Sequence, residues 1–85
     1  MRLEFRQQAF EDLQHWVQNN PKIAKRLLRL IEETKRDPFG GTGKPEPLKG
    51  ELSGWWSKRI DQEHRLIYRV EKDSLIIAQA RGHYV

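Results

Sequence analysis

The spacing of the apolar residues changes half-way along this chain of 85 residues. In the first half, apolar side chains such as Ala9, Leu13 and Trp16 recur at the spacing of a helix that buries one face. In the second half, from Trp55 to Arg81, apolar runs with the alternation of strands are separated by polar turns. This change of period predicts an α+β fold, with the helices before the main part of the sheet.

A short strand and two helices are predicted before the middle of the chain. Residues 2–6 alternate apolar and charged side chains, which indicates a strand. The first helix ends near Asn20, which also caps the second helix, since Asn accepts a hydrogen bond there and Pro21 suits the first helical position. The Asp37-Pro38 pair ends the second helix.

Three strands joined by short polar turns are predicted at residues 55–60, 64–70 and 75–81. Such strands pair in antiparallel order and form a meander. A first turn of three residues places Arg59 directly opposite Arg65, because only that register keeps the apolar side chains on one face. Paired like charges destabilise a sheet, so the two arginines either bind an anion or extend into solvent, where they cost little. The predicted fold is a single domain over residues 1–85, with a small curved sheet packed on the helices.

The absence of cysteine and the excess of positive charge limit the classes of function. Without cysteine the chain forms neither disulfides nor thiolate metal sites, so the fold depends on its apolar core. Neither a signal peptide nor an apolar run of membrane-spanning length is apparent, so we expect a cytoplasmic protein without a membrane partner. The 16 Lys and Arg residues outnumber the 12 Asp and Glu residues, and the excess lies after residue 20. This excess favours a nucleic acid as the partner.

The segment FGGTGKPEPLKG, residues 39–50, is a long loop with one carboxylate, Glu46, between two prolines. Loops longer than about 12–15 residues are uncommon in compact domains, and many of them have a function. Each proline fixes its own φ angle and restricts the residue before it, so this loop is stiff and Glu46 is extended. A stiff loop holds a reactive side chain in place.

The sequence contains the side chains that RNA cleavage without a metal ion requires. Glu46 can take the proton from a ribose 2′-OH, and His83 can protonate the leaving 5′-oxygen, because imidazole changes its charge near neutral pH. Arginine keeps its charge and binds phosphate oxygens through its forked N–H groups. No spacing of His, Asp and Glu matches a metal site, and no cofactor is expected. We interpret His15 as a surface residue and His64 as a structural one.

Two parts of the sequence resemble the YoeB-like toxins, a branch of the RelE-type family of bacterial toxin–antitoxin systems: the run RDPFGGTGKPEPLKGELSGWWSKRIDQEHRLIYRV and the HY pair near the C-terminus. This resemblance implies the RelE/YoeB-like microbial RNase fold. It implies an endoribonuclease that cleaves messenger RNA in the A site of the small ribosomal subunit and so inhibits translation. It also implies a homodimer and a YefM-like antitoxin.

The resemblance also implies roles for individual residues. The glutamate of the KPEP motif acts as general base and the histidine of the HY pair as general acid, which here are Glu46 and His83. The arginine of the EHR motif, here Arg65, stabilises the scissile phosphate. The resemblance implies three substrate-binding residues: Lys49, Arg59 and Tyr84. The lysine and the arginine would contact phosphate, and the tyrosine would orient the substrate or the histidine.

Two other functions remain open on the sequence. One is a basic module that binds RNA or DNA through phosphate contacts without cutting it. Glu46→Gln and His83→Gln would leave the effect of such a module on translation intact. The other is a toxin of the same fold that inhibits DNA gyrase, like the ParE-type members of the superfamily. The KPEP, EHR and HY motifs argue against the gyrase inhibitor, and a DNA-supercoiling assay separates it from the nuclease.

Overall fold

In the computed structural model, which describes residues 1–83, two helices pack against one face of a five-stranded sheet. The helices are α1 (Gln7–Asn19) and α2 (Pro21–Arg36). The strands are β1 (Arg2–Phe5), β2 (Glu46–Pro47), β3 (Trp56–Arg59), β4 (Arg65–Glu71) and β5 (Ser74–Gln79). The α+β class predicted from the change of period is therefore confirmed.

The strands lie side by side in the order β1-β5-β4-β3-β2. The predicted meander is present, because β4 pairs in antiparallel order with both β3 and β5. The first strand pairs in parallel with the last, so that Leu3 lies beside Leu75 and Phe5 beside Ile77. The sheet therefore joins the two ends of the described chain, and β2 lies at the edge opposite β1.

The fifth strand, β2, corrects the prediction of one N-terminal strand and a three-stranded meander. It consists of Glu46 and Pro47, which pair with Ser57 and Trp56 of β3. Two residues are too few to show a period of alternation, and proline usually marks the edge of a sheet, which is where β2 lies. The segment predicted as a loop is thus fastened to the sheet at the position of its carboxylate.

The signals predicted for the helix ends are confirmed. The side chain of Asn20 accepts a hydrogen bond from the backbone N–H of Ile23, at 3.3 Å, and Pro21 is the first residue of α2. The second helix ends at Arg36, immediately before the Asp37-Pro38 pair. The helices are thus separated by a single residue, and their apolar faces meet the same face of the sheet.

The core lies between the helices and one face of the sheet. Its fully buried members include Ala9, Leu27, Leu66, Tyr68, Leu75 and Ile77. Because Trp56 pairs with Tyr68, their side chains share this face, and the alternate residues of β3 and β4 lie on the other. The predicted pairing of Arg59 with Arg65 is confirmed, and both arginines lie on the face away from the helices.

Three apolar residues of the two helices do not enter the core. Phe10 is 48% exposed, Val17 56% and Leu28 48%. The helical period is correct at these positions, but the apolar stripe is wider than the surface that the sheet covers. Single exposed apolar side chains are common on protein surfaces, so these three do not by themselves identify a contact surface.

Candidate functional site

A polar pocket lies on the face of the sheet away from the helices. Its volume is about 370 Å³, and the residues that line it are Lys44, Glu46, Ser57, Arg59, Arg65 and His83. It brings together four of the six predicted site residues. Lys49 does not line it and lies exposed before the 3₁₀ turn at Gly50–Leu52. Tyr84, the remaining one, lies outside the described residues.

Positive charge dominates this pocket. Among the described residues, Lys44, Arg59 and Arg65 line it together with a single carboxylate, that of Glu46. The two arginines are direct neighbours across β3 and β4, where like charges repel each other and attract an anion. The pocket therefore suits a phosphate group that has a carboxylate and an imidazole beside it.

The short strand β2 sets the direction of the Glu46 side chain. Glu46 pairs with Ser57, so both side chains point to the same face of the sheet as Arg59. The pairing continues at the next apolar residue, where the N–H of Leu48 donates to the carbonyl of Trp55 at 2.9 Å. The carboxylate is thus placed by backbone pairing, in addition to the prolines on each side of it.

The loop before β2 is fastened to α2 through one carboxylate. Glu33 accepts hydrogen bonds from the backbone N–H of Thr42, at 2.6 Å, and from its hydroxyl, at 2.8 Å. These two bonds hold the pKa of Glu33 below its ordinary value of 4.5, because they stabilise the charged carboxylate. Sequence reasoning did not single out Glu33, since nothing in its local pattern distinguishes it from its neighbour Glu32.

The same loop approaches β3 closely at Gly43. Its carbonyl accepts a hydrogen bond from the N–H of Arg59, at 2.6 Å, and its φ angle is +92°. A Cβ atom here would lie 3.1 Å from both the Arg59 carbonyl and the Cβ of Lys58. Only glycine fits this backbone conformation and this close approach without strain. The loop is therefore held on one side by α2 and on the other by β3.

Replacing Glu33 with Gln is expected to lower stability at neutral pH and to matter less in acid. Because the pKa of Glu33 is lowered in the folded state, its carboxylate contributes stability above pH 4.5 and loses it as the pH falls through the lowered value. Urea unfolding of both proteins over a series of pH values measures the effect. Glu32→Gln is the control, since it makes the same change of charge at an exposed neighbour. If the difference in stability between the wild type and Glu33→Gln did not decrease in acid, the expectation would be wrong.

Arg65 is held in the pocket by the turn between β3 and β4. Its Nη1 donates to the carbonyls of Asp61 at 3.0 Å, Gln62 at 3.1 Å and His64 at 3.3 Å. The Asp61 carboxylate in turn accepts from the N–H of His64 at 2.7 Å, which closes the turn. Within residues 1–83, Nε and Nη2 of Arg65 make no hydrogen bond. The guanidinium is thus fixed at one corner, with N–H groups left for a ligand.

The residue before His83 is fixed by the start of β4. The N–H of Gly82 donates to Nδ1 of His64, at 2.8 Å, and its carbonyl accepts from the N–H of Arg65, at 3.0 Å. The His64 ring also packs edge-on against Trp16, with 4.6 Å between the ring centroids. His64 is therefore structural, as predicted, and it helps to place His83 at the pocket.

Helix α1 contacts the same C-terminal segment at Ala80, two residues before Gly82. The N–H of Ala80 donates to the Asp12 carboxylate, and the carbonyl of Ala80 accepts from Nε1 of Trp16, both at 2.9 Å. Asp12 is only 3% exposed and also accepts a hydrogen bond from Gln8, at 2.9 Å. Sequence reasoning missed this role of Asp12. The signal was present, because a carboxylate lies three residues after Ala9 and four before Trp16, on the buried face.

Residues 1–83 contain no group of three or more His, Asp or Glu side chains arranged to hold a metal ion. In the same part of the chain, neither helix has the length and the apolar character needed to cross a bilayer.

Two sequence comparisons identify relatives of this chain. Residues 5–84 match the family described as YoeB-like toxin of bacterial type II toxin–antitoxin system. Toxin YoeB of Streptomyces coelicolor is 55% identical over 84 residues, which cover 99% of this chain and 100% of that relative. These matches confirm the resemblance drawn from the KPEP, EHR and HY motifs.

Solved structures give the same result. A YoeB/ParE toxin from Agrobacterium tumefaciens has a TM-score of 0.95 and 41% identity, and the match covers 99% of this chain and 100% of that one. A YoeB–YefM complex from Staphylococcus aureus has a TM-score of 0.90 and 41% identity, with coverage of 99% and 98%. A YoeB dimer from the same organism has a TM-score of 0.91 and 40% identity, with the same coverage. This chain belongs to the YoeB-like toxins of bacterial type II toxin–antitoxin systems.

Proposed function

We propose that this protein is an endoribonuclease that cuts messenger RNA in the A site of the ribosome without a metal ion. The observation that supports the proposal is the pocket shared by Glu46, Arg59, Arg65 and His83. A carboxylate, an imidazole and two guanidinium groups are sufficient for attack by the ribose 2′-OH on the adjacent phosphate. No group has to be supplied from outside the pocket for this reaction.

The proposed reaction has one base and one acid. Glu46 takes the proton from the 2′-OH, and the resulting oxygen forms a bond to the adjacent phosphorus atom. The bond from that phosphorus to the 5′-oxygen of the next nucleotide breaks, and His83 gives its proton to this oxygen. The products are a 2′,3′-cyclic phosphate on one fragment and a 5′-hydroxyl on the other.

The arginines neutralise the charge that builds up on the phosphate oxygens during the reaction. Arg65 is suited to this role because the β3–β4 turn already fixes its guanidinium, so little ordering remains to be done when the substrate binds. Arg59 faces it across the two strands. Following the resemblance, we assign Lys49 to a flanking phosphate and Tyr84 to orienting the substrate or His83.

The ribosome and two protein partners complete the proposal. A pocket as open as this one does not itself bend a flexible RNA strand, so the ribosome would hold the message in the geometry that in-line attack requires. Because the Staphylococcus aureus YoeB proteins form a dimer and a complex with YefM, we infer a homodimer and a YefM-like antitoxin for this chain. From these inferred partners we also infer a cytoplasmic location.

Ribosomes stalled on a defined message provide the test. Incubation with the purified protein is expected to cut the message within the A-site codon and to leave a 2′,3′-cyclic phosphate or its hydrolysed form. The same message without ribosomes is expected to stay intact. Glu46→Ala and His83→Ala are expected to abolish the cut, which is mapped by primer extension and by analysis of the new 3′ end.

Two other outcomes would support a different function. If translation stopped without any cut, and stopped equally in Glu46→Gln and His83→Gln, the protein would be a basic module that binds RNA. If it instead blocked DNA supercoiling by gyrase, it would act like the ParE-type toxins of the same superfamily.

A further inference from the structure

A second pocket lies between α2, the loop before β2 and the end of β3. Its volume is about 310 Å³. Three arginines line it, Arg26, Arg29 and Arg59, together with the apolar side chains of Leu30 and Ile60. Arg26 and Arg29 are three residues apart in α2 and therefore lie on the same side of that helix. Arg26 and Arg29 of this arginine pocket have no role in the mechanism proposed above.

The charge of the arginine pocket is not balanced from within. The one carboxylate that residues 1–83 contribute to it, that of Glu33, already accepts two hydrogen bonds from Thr42. Arg26 donates to the carbonyl of Ile60, at 3.4 Å, which holds its guanidinium against the end of β3. Arg29 and Arg59 make no ion pair or side-chain hydrogen bond within residues 1–83. Several cations gathered beside apolar side chains favour an anionic ligand.

Arg59 connects the arginine pocket to the candidate cleavage pocket, since it lines both of them. At this residue β3 extends beyond the end of β2, and the N–H of Arg59 bonds to the carbonyl of Gly43. Arg59 therefore lies between two cationic pockets, where β3 extends beyond β2. A ligand that carries a negative charge at regular intervals can cross Arg59 and occupy both pockets at once.

We propose that the arginine pocket binds a backbone phosphate of the same RNA strand, adjacent to the scissile phosphate. The proposal rests on the proposed function, because the cleavage reaction assigns the scissile phosphate to the first pocket. Arg26 and Arg29 bind and position the strand without contact with the reacting atoms, as phosphate contacts do in other nucleic-acid complexes. They contribute affinity that does not depend on base sequence.

The test uses short RNA strands that cannot be cut, because the scissile ribose carries a 2′-O-methyl group. In each strand one phosphate is replaced by an uncharged methylphosphonate, and dissociation constants are measured by NMR titration. The wild type is compared with Arg26→Gln/Arg29→Gln and with the control Lys22→Gln/Lys25→Gln. The control removes the same two charges from exposed positions of α2 that do not line the pocket.

For the wild type, one methylphosphonate next to the scissile position is expected to weaken binding about tenfold. With unmodified RNA, the affinity of the arginine variant is expected to be about tenfold lower than that of the wild type. A methylphosphonate next to the scissile position is then expected to weaken its binding no further, while the control variant responds as the wild type does. The salt dependence of RNA binding is expected to be weaker in the arginine variant than in the wild type, by about one phosphate contact. Arg29→Gln alone, which removes no hydrogen bond from the part of the chain that the structure describes, gives the same comparison if the double variant does not fold.

Three results would overturn the inference. In the first, the arginine variant retains the wild-type response to every methylphosphonate. In the second, the control variant loses this response as completely as the arginine variant does. The arginine variant could instead lose affinity only for an acidic antitoxin segment, in which case the pocket binds protein. Failure of the proposed function is seen separately, as an intact ribosome-bound message, since the phosphate comparison uses RNA that cannot be cut.

Discussion

Glu46→Gln is expected to cut ribosome-bound message about 10²–10⁴-fold more slowly than the wild type. The amide has nearly the size of the carboxylate, but it cannot accept the proton of the 2′-OH. Glu46 is exposed and lies in a strand at the edge of the sheet, so the substitution removes no packing from the core. Single-turnover cleavage with ribosomes in excess measures the effect on the chemical step and separates it from binding.

Glu51→Gln is the matched control for this prediction. Glu51 is exposed in the 3₁₀ turn that follows the same loop, and its replacement makes the same change of charge. It is expected to cut at the wild-type rate. If the two variants lost the same amount of activity, the loss would reflect charge near the loop, and Glu46 would not be the base.

The parts of the fold that depend on neighbouring residues could be predicted from the sequence. Asn20 and Pro21 mark the start of α2 because both act within one turn of helix. The pairing of Arg59 with Arg65 followed from the hydrophobic pattern, since a shift of one residue would have moved every apolar side chain of the hairpin to the other face.

The parts that depend on distant residues could not be predicted. The parallel pairing of β1 with β5 joins residues 2–5 to residues 74–77, and no local pattern specifies that partner. The two residues of β2 are identified as a strand only by their contact with β3. The motifs indicated Glu46, Arg65 and His83, but the contacts of Glu33 with Thr42 and of Asp12 with Ala80 come from the tertiary structure.

Two of the buried polar residues mark where such distant contacts occur. Asp12 and Lys58 both lie on faces that are otherwise apolar, and each bonds to backbone far along the chain. Asp12 accepts from Ala80, and Nζ of Lys58 donates to the carbonyl of Asp37, at 3.3 Å. Because a buried polar group needs a partner, a charged residue within an apolar stripe predicts that some backbone segment will meet it there.

Asp12→Ala is expected to lower the free energy of unfolding by about 1–3 kcal/mol, because it leaves the buried N–H of Ala80 without an acceptor. It is also expected to slow cleavage in the protein that remains folded, because Ala80 lies three residues before His83. Asp12→Asn keeps an oxygen that accepts from Ala80 and should lose less of both. Glu11→Ala, the exposed acidic neighbour, is the control.

Urea unfolding and single-turnover cleavage, measured on the same preparations, separate the two effects of Asp12→Ala. If the bond to Ala80 only stabilises the fold, the folded fraction will cut at the wild-type rate once it is corrected for unfolded protein. If the bond also positions His83, a loss of rate will remain after that correction, and Asp12→Asn will restore most of it. A folded Asp12→Ala protein with the full rate would show that Gly82, held by His64 and Arg65, is enough to place the histidine.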